Sequence, residues 1–135
     1  MSDLQTSLES IIAEFKADSG TIHLLEDDGV LHLKAAHGVP EFVLNIVRLV
    51  PVGKGMAGLA LERAEPITAC NIQTDASGDV RPGAKATGME GAIVVPMFIG
   101  EKAVGTLGIA NRTERIFSDE EQARLLAHGR ALANG

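Results

Sequence analysis

A chain of 135 residues, 45% hydrophobic and 22% charged, is long enough to bury a core of its own, and a single domain over residues 1–135 is expected. A net charge of −6 without any basic run excludes the counterion-releasing contacts of nonspecific nucleic-acid binding, and the lack of Trp and Tyr removes the usual platforms for base stacking. No apolar run approaches the roughly 20 residues of a membrane span, the start lacks the basic and apolar regions of a signal peptide, and the single Cys70 has no disulfide partner in the chain, so a cytoplasmic protein without nucleic-acid or membrane partners is expected.

In the opening stretch "SDLQTSLESIIAEFKADSG", Ser2 and Gln5 have the spacing of a capping box. Leu4, Leu8, Ile11, Ile12 and Phe15 then form one stripe of an amphipathic helix that Gly20 is placed to stop. In "TIHLLEDDGVLHLKAAHG" the Asp28-Gly29 dipeptide suits a two-residue hairpin turn. That turn pairs Asp27 with Val30, Leu25 with His32, His23 with Lys34 and Ile22 with Ala35. One face collects Ile22, Leu24, Leu31, Leu33 and Ala35, and the other Thr21, His23, Leu25, His32, Lys34 and Ala36. A short helix is expected from Pro40, with Phe42, Val43, Ile46 and Val47 on one side.

The next stretch, "GKGMAGLALERAEP", contains G-x-G-x-x-G, with a possible strand before it, a helix after it, and Asp75 about 20 residues downstream, as in a dinucleotide site. The helix, however, has room for only about two to three turns before Pro66, and no further βα unit follows. Gly53, Gly55 and Gly58 are therefore read as a tight turn with close helix packing. After a strand in "ITACNI" and the loop "QTDASGDVRPGAKATGMEG", a second hairpin turns at Gly100-Glu101, too tightly for a parallel crossover. Direct pairing groups Ile93, Val95, Met97, Val104 and Thr106 on one face and Val94, Pro96, Phe98, Ala103, Leu107 and Ile109 on the other. The last helix starts with a Ser118–Glu121 capping box ahead of Leu125, Leu126 and Leu132.

This order of elements reads as α+β, with helices stacked on a mainly antiparallel sheet. Four stretches, "GTIHLLEDDGVLHLKAAHGVP", "VPVGKGMAGLALERAEPITACNI", "GAIVVPMFIGEKAVGTLGIANR" and "IFSDEE", together and in this order, resemble the GAF domains, small-molecule-sensing modules of bacterial regulators and phosphodiesterases. The resemblance implies a twisted central sheet with the first and last helices on one face. It places a ligand pocket on the other, under the short helices and the long loop. Asn111, Arg112, Phe117, Asp119 and Glu120 approach the asparagine-basic-phenylalanine-acidic motif of phosphodiesterase GAF domains, but one residue alone separates Phe117 from Asp119, so no cyclic-nucleotide ligand is inferred.

The candidate ligand-binding residues are His23, Thr68, Cys70, Asp75, Arg81, Met89, Val95 and Thr106. His23 and Thr106 supply hydrogen-bonding groups on a largely apolar wall, and Asp75, Arg81 and Met89 lie in the long loop. His23 opposite Lys34 is either part of an anion site or a half-exposed polar face. Cys70 reads first as a small buried hydrophobe. GAF-like enzymes that reduce free methionine sulfoxide use several cysteines, and this chain has one. No catalytic residue and no metal site is expected, since the four histidines lack metal spacing, and no cofactor is assigned. A non-catalytic sensor for a compact, weakly polar or anionic ligand is thus expected, acting through a partner or a fused output protein. The alternatives are a small reductase or an unliganded dimerisation module. Apolar positions left over on the terminal helices, such as Ile12, Leu126 and Leu132, motivate a parallel homodimer.

Overall fold

Within residues 3–74, 85 and 87–135, which the computed structural model describes, the chain runs α1 (Leu4–Glu14), β1 (Ser19–Leu25), β2 (Val30–His37), α2 (Glu41–Val47), β3 (Leu49–Pro51), α3 (Gly55–Arg63), β4 (Ile67–Ala69), β5 (Gly91–Ile99), β6 (Lys102–Asn111) and α4 (Asp119–Asn134). The N-cap of α1 is Asp3, whose carboxylate accepts the Gln5 backbone N–H at 3.0 Å and the Thr6 hydroxyl at 2.7 Å. The expected partner Ser2 lies outside the described residues. The helix ends early, where Lys16 takes a left-handed φ of 54°, and Gly20 belongs to β1 instead of stopping the helix. At α4 the capping box forms as expected: Glu121 N–H to Ser118 Oγ at 3.1 Å and Ser118 N–H to Glu121 Oε1 at 2.9 Å.

The six strands lie in the order β3-β2-β1-β6-β5-β4, and every neighbouring pair is antiparallel. The first hairpin corrects the expected register. Glu26 N–H donates to Val30 O at 3.1 Å and Gly29 N–H to Glu26 O at 3.0 Å, with Gly29 at φ 79°, so the loop is the three residues Asp27, Asp28 and Gly29. Leu25 therefore faces Leu31, Leu24 faces His32, and His23 faces Leu33. A one-residue shift reverses every side chain of the incoming strand. Leu31 accordingly leaves the terminal-helix face and packs with Val50 and Leu61 on the other side. A bulge at Lys34 then restores the expected Ile22–Ala35 pair. Lys34 is not paired with His23; its Nζ reaches Glu26 Oε1 at 2.6 Å on the surface.

The second hairpin turns at Gly100-Glu101 as expected, pairing Ile99 with Lys102 and Phe98 with Ala103. A bulge at Val104 then moves the remaining pairs by one, so that Val95 faces Leu107, Ile93 faces Ile109, and Thr106 faces Pro96. Ile93, Val95 and Met97 thus share a face with Leu107 and Ile109, which corrects the expected grouping.

That face carries the main core. Leu8, Ile11 and Ile12 of α1, Phe15 at its C-cap and Leu125 of α4 pack onto Ile22, Val95 and Leu107. At roughly 25 cal/mol per Å² of apolar area buried, these side chains supply most of the drive to form the two terminal helices on the sheet. On the opposite face, α3 packs against β5 and β6. The glycines before it act structurally: Gly53 and Gly55 have φ of 85° and 65°, and a Cβ on Gly58 would stand 2.4 Å from the Pro51 carbonyl oxygen.

Candidate ligand-binding cavity

Opposite the terminal helices, β1, β5 and β6 form the floor of a cavity of about 390 Å³ whose walls include α2, the start of α3, and the segment around Met89. The volume lies in the range of small-molecule pockets, and the lining has the usual character: mostly apolar, with a few polar groups. Apolar contributions include Val43 and Val47 from α2, Met56 from α3, and Val94 from β5. Ser19, Thr21, His23, Lys54 and Thr87 supply polarity, and Lys54 is the one charged residue in the lining among the described residues.

His23 is the most constrained polar group in this wall, only 3% exposed. Its Nε2 lies 2.8 Å from the Val47 carbonyl oxygen. A carbonyl can only accept, so Nε2 carries the proton and the imidazole is tied to the C-terminal end of α2. Burial pushes its pKa below the ordinary histidine value, and the Val47 carbonyl offsets this in part. The side chain is therefore neutral at neutral pH, with a bare lone pair on Nδ1. That Nδ1 is buried without a hydrogen-bond partner, as is Oγ1 of Thr106, the residue opposite His23 on β6.

The structure brings together only part of the expected site. His23 and Met89 both line the cavity. Met89 is held by Gln73, whose Nε2 donates to its carbonyl at 2.8 Å. Thr106 is on the same sheet face as His23 but does not line the cavity. Val95 is buried in the core beneath the terminal helices, because the bulge at Val104 brings Val94, not Val95, to the cavity side. Thr68 is exposed on the edge strand β4. Cys70 is exposed one residue beyond that strand, away from the cavity lining, so the expectation of a buried small hydrophobe is corrected. Asp75 and Arg81 lie outside the described residues. The reading from sequence missed Lys54, Met56 and Ile72, which also line the cavity.

Among the described residues no group of three His, Cys, Asp or Glu side chains is placed to hold a metal ion, and no helix is long and apolar enough to cross a membrane.

No curated protein matches the chain. The structure is similar to the GAF domain of a phosphoenolpyruvate-protein phosphotransferase from Acinetobacter, with 21% identity and a TM-score of 0.80 over 97% of this chain and 78% of that one. The corresponding domain from Coxiella burnetii gives 23% identity and a TM-score of 0.81 over the same shares. A type II free methionine-R-sulfoxide reductase from Thermoplasma acidophilum is similar at 21% identity and a TM-score of 0.77, over 97% of this chain and 87% of that one. At these identities the likeness speaks for the fold alone, but the sequence profile of the GAF domain also matches residues 3–133. With the profile spanning almost the whole sequence and the six-stranded sheet arranged as in these relatives, the chain belongs to the GAF domain family.

Proposed function

We propose that this domain is a non-catalytic sensor that binds a compact, largely apolar small molecule between the His23 face of its sheet and α2. The observation that carries this reading is the cavity of about 390 Å³, apolar in most of its lining yet containing a deeply buried histidine with an unused acceptor. A buried polar atom without a partner is costly, and a flat sheet face filled by its own side chains offers no such space. The cavity and the terminal helices lie on opposite faces of one sheet. Binding on one side can thus bias the packing of α1 and α4 on the other, where a partner or a fused output protein would read it.

A reductase resembling the methionine sulfoxide enzymes is the weaker reading. Such chemistry needs a second thiol to resolve the first, whereas this chain has one cysteine, exposed and outside the cavity lining. The test is a thermal-melt screen of amino acids, other metabolites and inorganic anions. A ligand at about a hundred times its dissociation constant should add roughly 2.7 kcal/mol of stability. A screen in which nothing moves the melt, with no occupant bound in the purified protein, would replace the sensor with an unliganded dimerisation module.

A further inference from the structure

The unpartnered atoms His23 Nδ1 and Thr106 Oγ1 belong to residues paired across β1 and β6, so both side chains stand on the same face of the sheet, and the two atoms differ in chemistry. Because Val47 O takes the proton on Nε2, Nδ1 can only accept; the threonine hydroxyl can both donate and accept. Between them, these two cross-strand neighbours offer one acceptor and one donor. We propose that the cavity selects a neutral, mainly aliphatic or alicyclic ligand bearing a hydroxyl, whose O–H donates to His23 Nδ1 while its oxygen accepts from Thr106. This assignment rests on the sensor reading above and names its ligand class. The rest of the molecule would lie against Val43, Val47, Met56 and Val94, whose side chains have no hydrogen-bond donor to offer it. Both atoms are closed over by their neighbours, so admitting the hydroxyl takes a small shift of side chains around the ring, of the kind that commonly accompanies binding. An ether of the same shape lacks the proton and leaves Nδ1 unsatisfied. Sites built around a substrate hydroxyl reject analogues without it for this reason.

The experiment compares cyclohexanol with methoxycyclohexane on the full chain at pH 7.5, by calorimetry and thermal melt. Cyclohexanol should bind about five- to tenfold more tightly. The His23→Leu variant should bring the alcohol's affinity to within twofold of the ether's. Nitrogen NMR of His23 in the unaltered protein needs no variant: Nδ1 should read as an unprotonated nitrogen and shift on adding cyclohexanol but not methoxycyclohexane. Equal affinity for alcohol and ether, or an Nδ1 signal that both probes leave unchanged because an ordered water already occupies the position, overturns the hydroxyl assignment while the sensor reading stands. If neither probe binds, the hydroxyl assignment fails, and the metabolite screen alone then decides the sensor reading.

Discussion

Gly108 sets the depth of the cavity floor. A Cβ there would stand 3.1 Å from Val94 Cγ2 and 3.5 Å from Thr21 Oγ1, both on residues of the cavity wall, so Gly108→Ala adds its methyl to ligand space. Stability should change by less than about 1 kcal/mol, because the close neighbour is a side chain that can give slightly and the strand gains from losing a glycine. Ligand affinity should fall several-fold, which calorimetry with any compound from the screen would check. His23 makes a separate prediction about pH. Its pKa is depressed in the folded state, so below the unfolded value of about 6.5 the unfolded chain binds more protons, and stability falls as pH drops from there toward the folded pKa. The loss is at most about 1.4 kcal/mol per pH unit. Melts from pH 7.5 to pH 5 should show this slope in the unaltered protein and a shallower one in His23→Leu.

Arg115 joins three elements, and the largest single-site loss outside the core is expected there. Its guanidinium donates to the Phe15 carbonyl at 2.7 Å at the end of α1, to Asn111 Oδ1 at 2.8 Å at the end of β6, and to Glu121 Oε2 at 2.6 Å in the first turn of α4. It also lies 4.5 Å from the centre of the Phe117 ring. Glu121 is held below the usual carboxylate range first by the Ser118 backbone N–H and then by this arginine. Arg115→Ala should cost about 2–4 kcal/mol in denaturant melts, and Arg115→Lys should recover less than half, since an ammonium cannot reproduce the planar fork. Asn111 and Phe117, legible as a motif from spacing, are thus explained by structure. The hairpins show where sequence stops being informative. Asp28-Gly29 marks a turn, but nothing local says whether Asp27 joins the loop, and neither Lys34 nor Val104 announces a bulge. In the first hairpin the extra loop residue and the bulge offset each other, so Ile22 and His23 fall on their expected faces while Leu31 does not. In the second the bulge has no such offset, so Val95, expected on one face with Thr106, lies in the core while Val94 lines the cavity.

For the whole molecule the arrangement of faces was implied by the family resemblance, and the apolar stripes of α1 and α4 fit it; the structure adds that β1 and β6, the first and last strands of the two hairpins, meet at the centre of the sheet. Cavity contacts were less so, since they come from residues far apart in sequence that meet only through the register of β1, β5 and β6. The expected dimer loses part of its motive: Ile12 is buried within one chain, and Leu126 and Leu132 are partly covered by the same core. We propose that their remaining exposed surface associates through the terminal helices. Light scattering at micromolar concentration should report a dimer that Leu126→Glu separates. A monomer before substitution would remove the proposal, and a dimer that survives the substitution would move the interface elsewhere.

The helix α2 has one side in the cavity wall, through Val43 and Val47, and another in solvent, where Phe42 is 60% exposed. Because the chain contains neither Trp nor Tyr, it is almost silent in near-ultraviolet absorption and has no indole emission. Phe42→Trp would place the sole fluorophore of the protein outside the ligand space, on the element that His23 holds to the sheet. Its emission in the unliganded protein should resemble that of a solvated indole, at little cost in stability because the ring remains exposed. A change in intensity or anisotropy that saturates with ligand would time the movement of α2 directly in stopped flow. An unchanged signal at saturation would mean that the helix stays fixed and that binding is transmitted through the sheet alone.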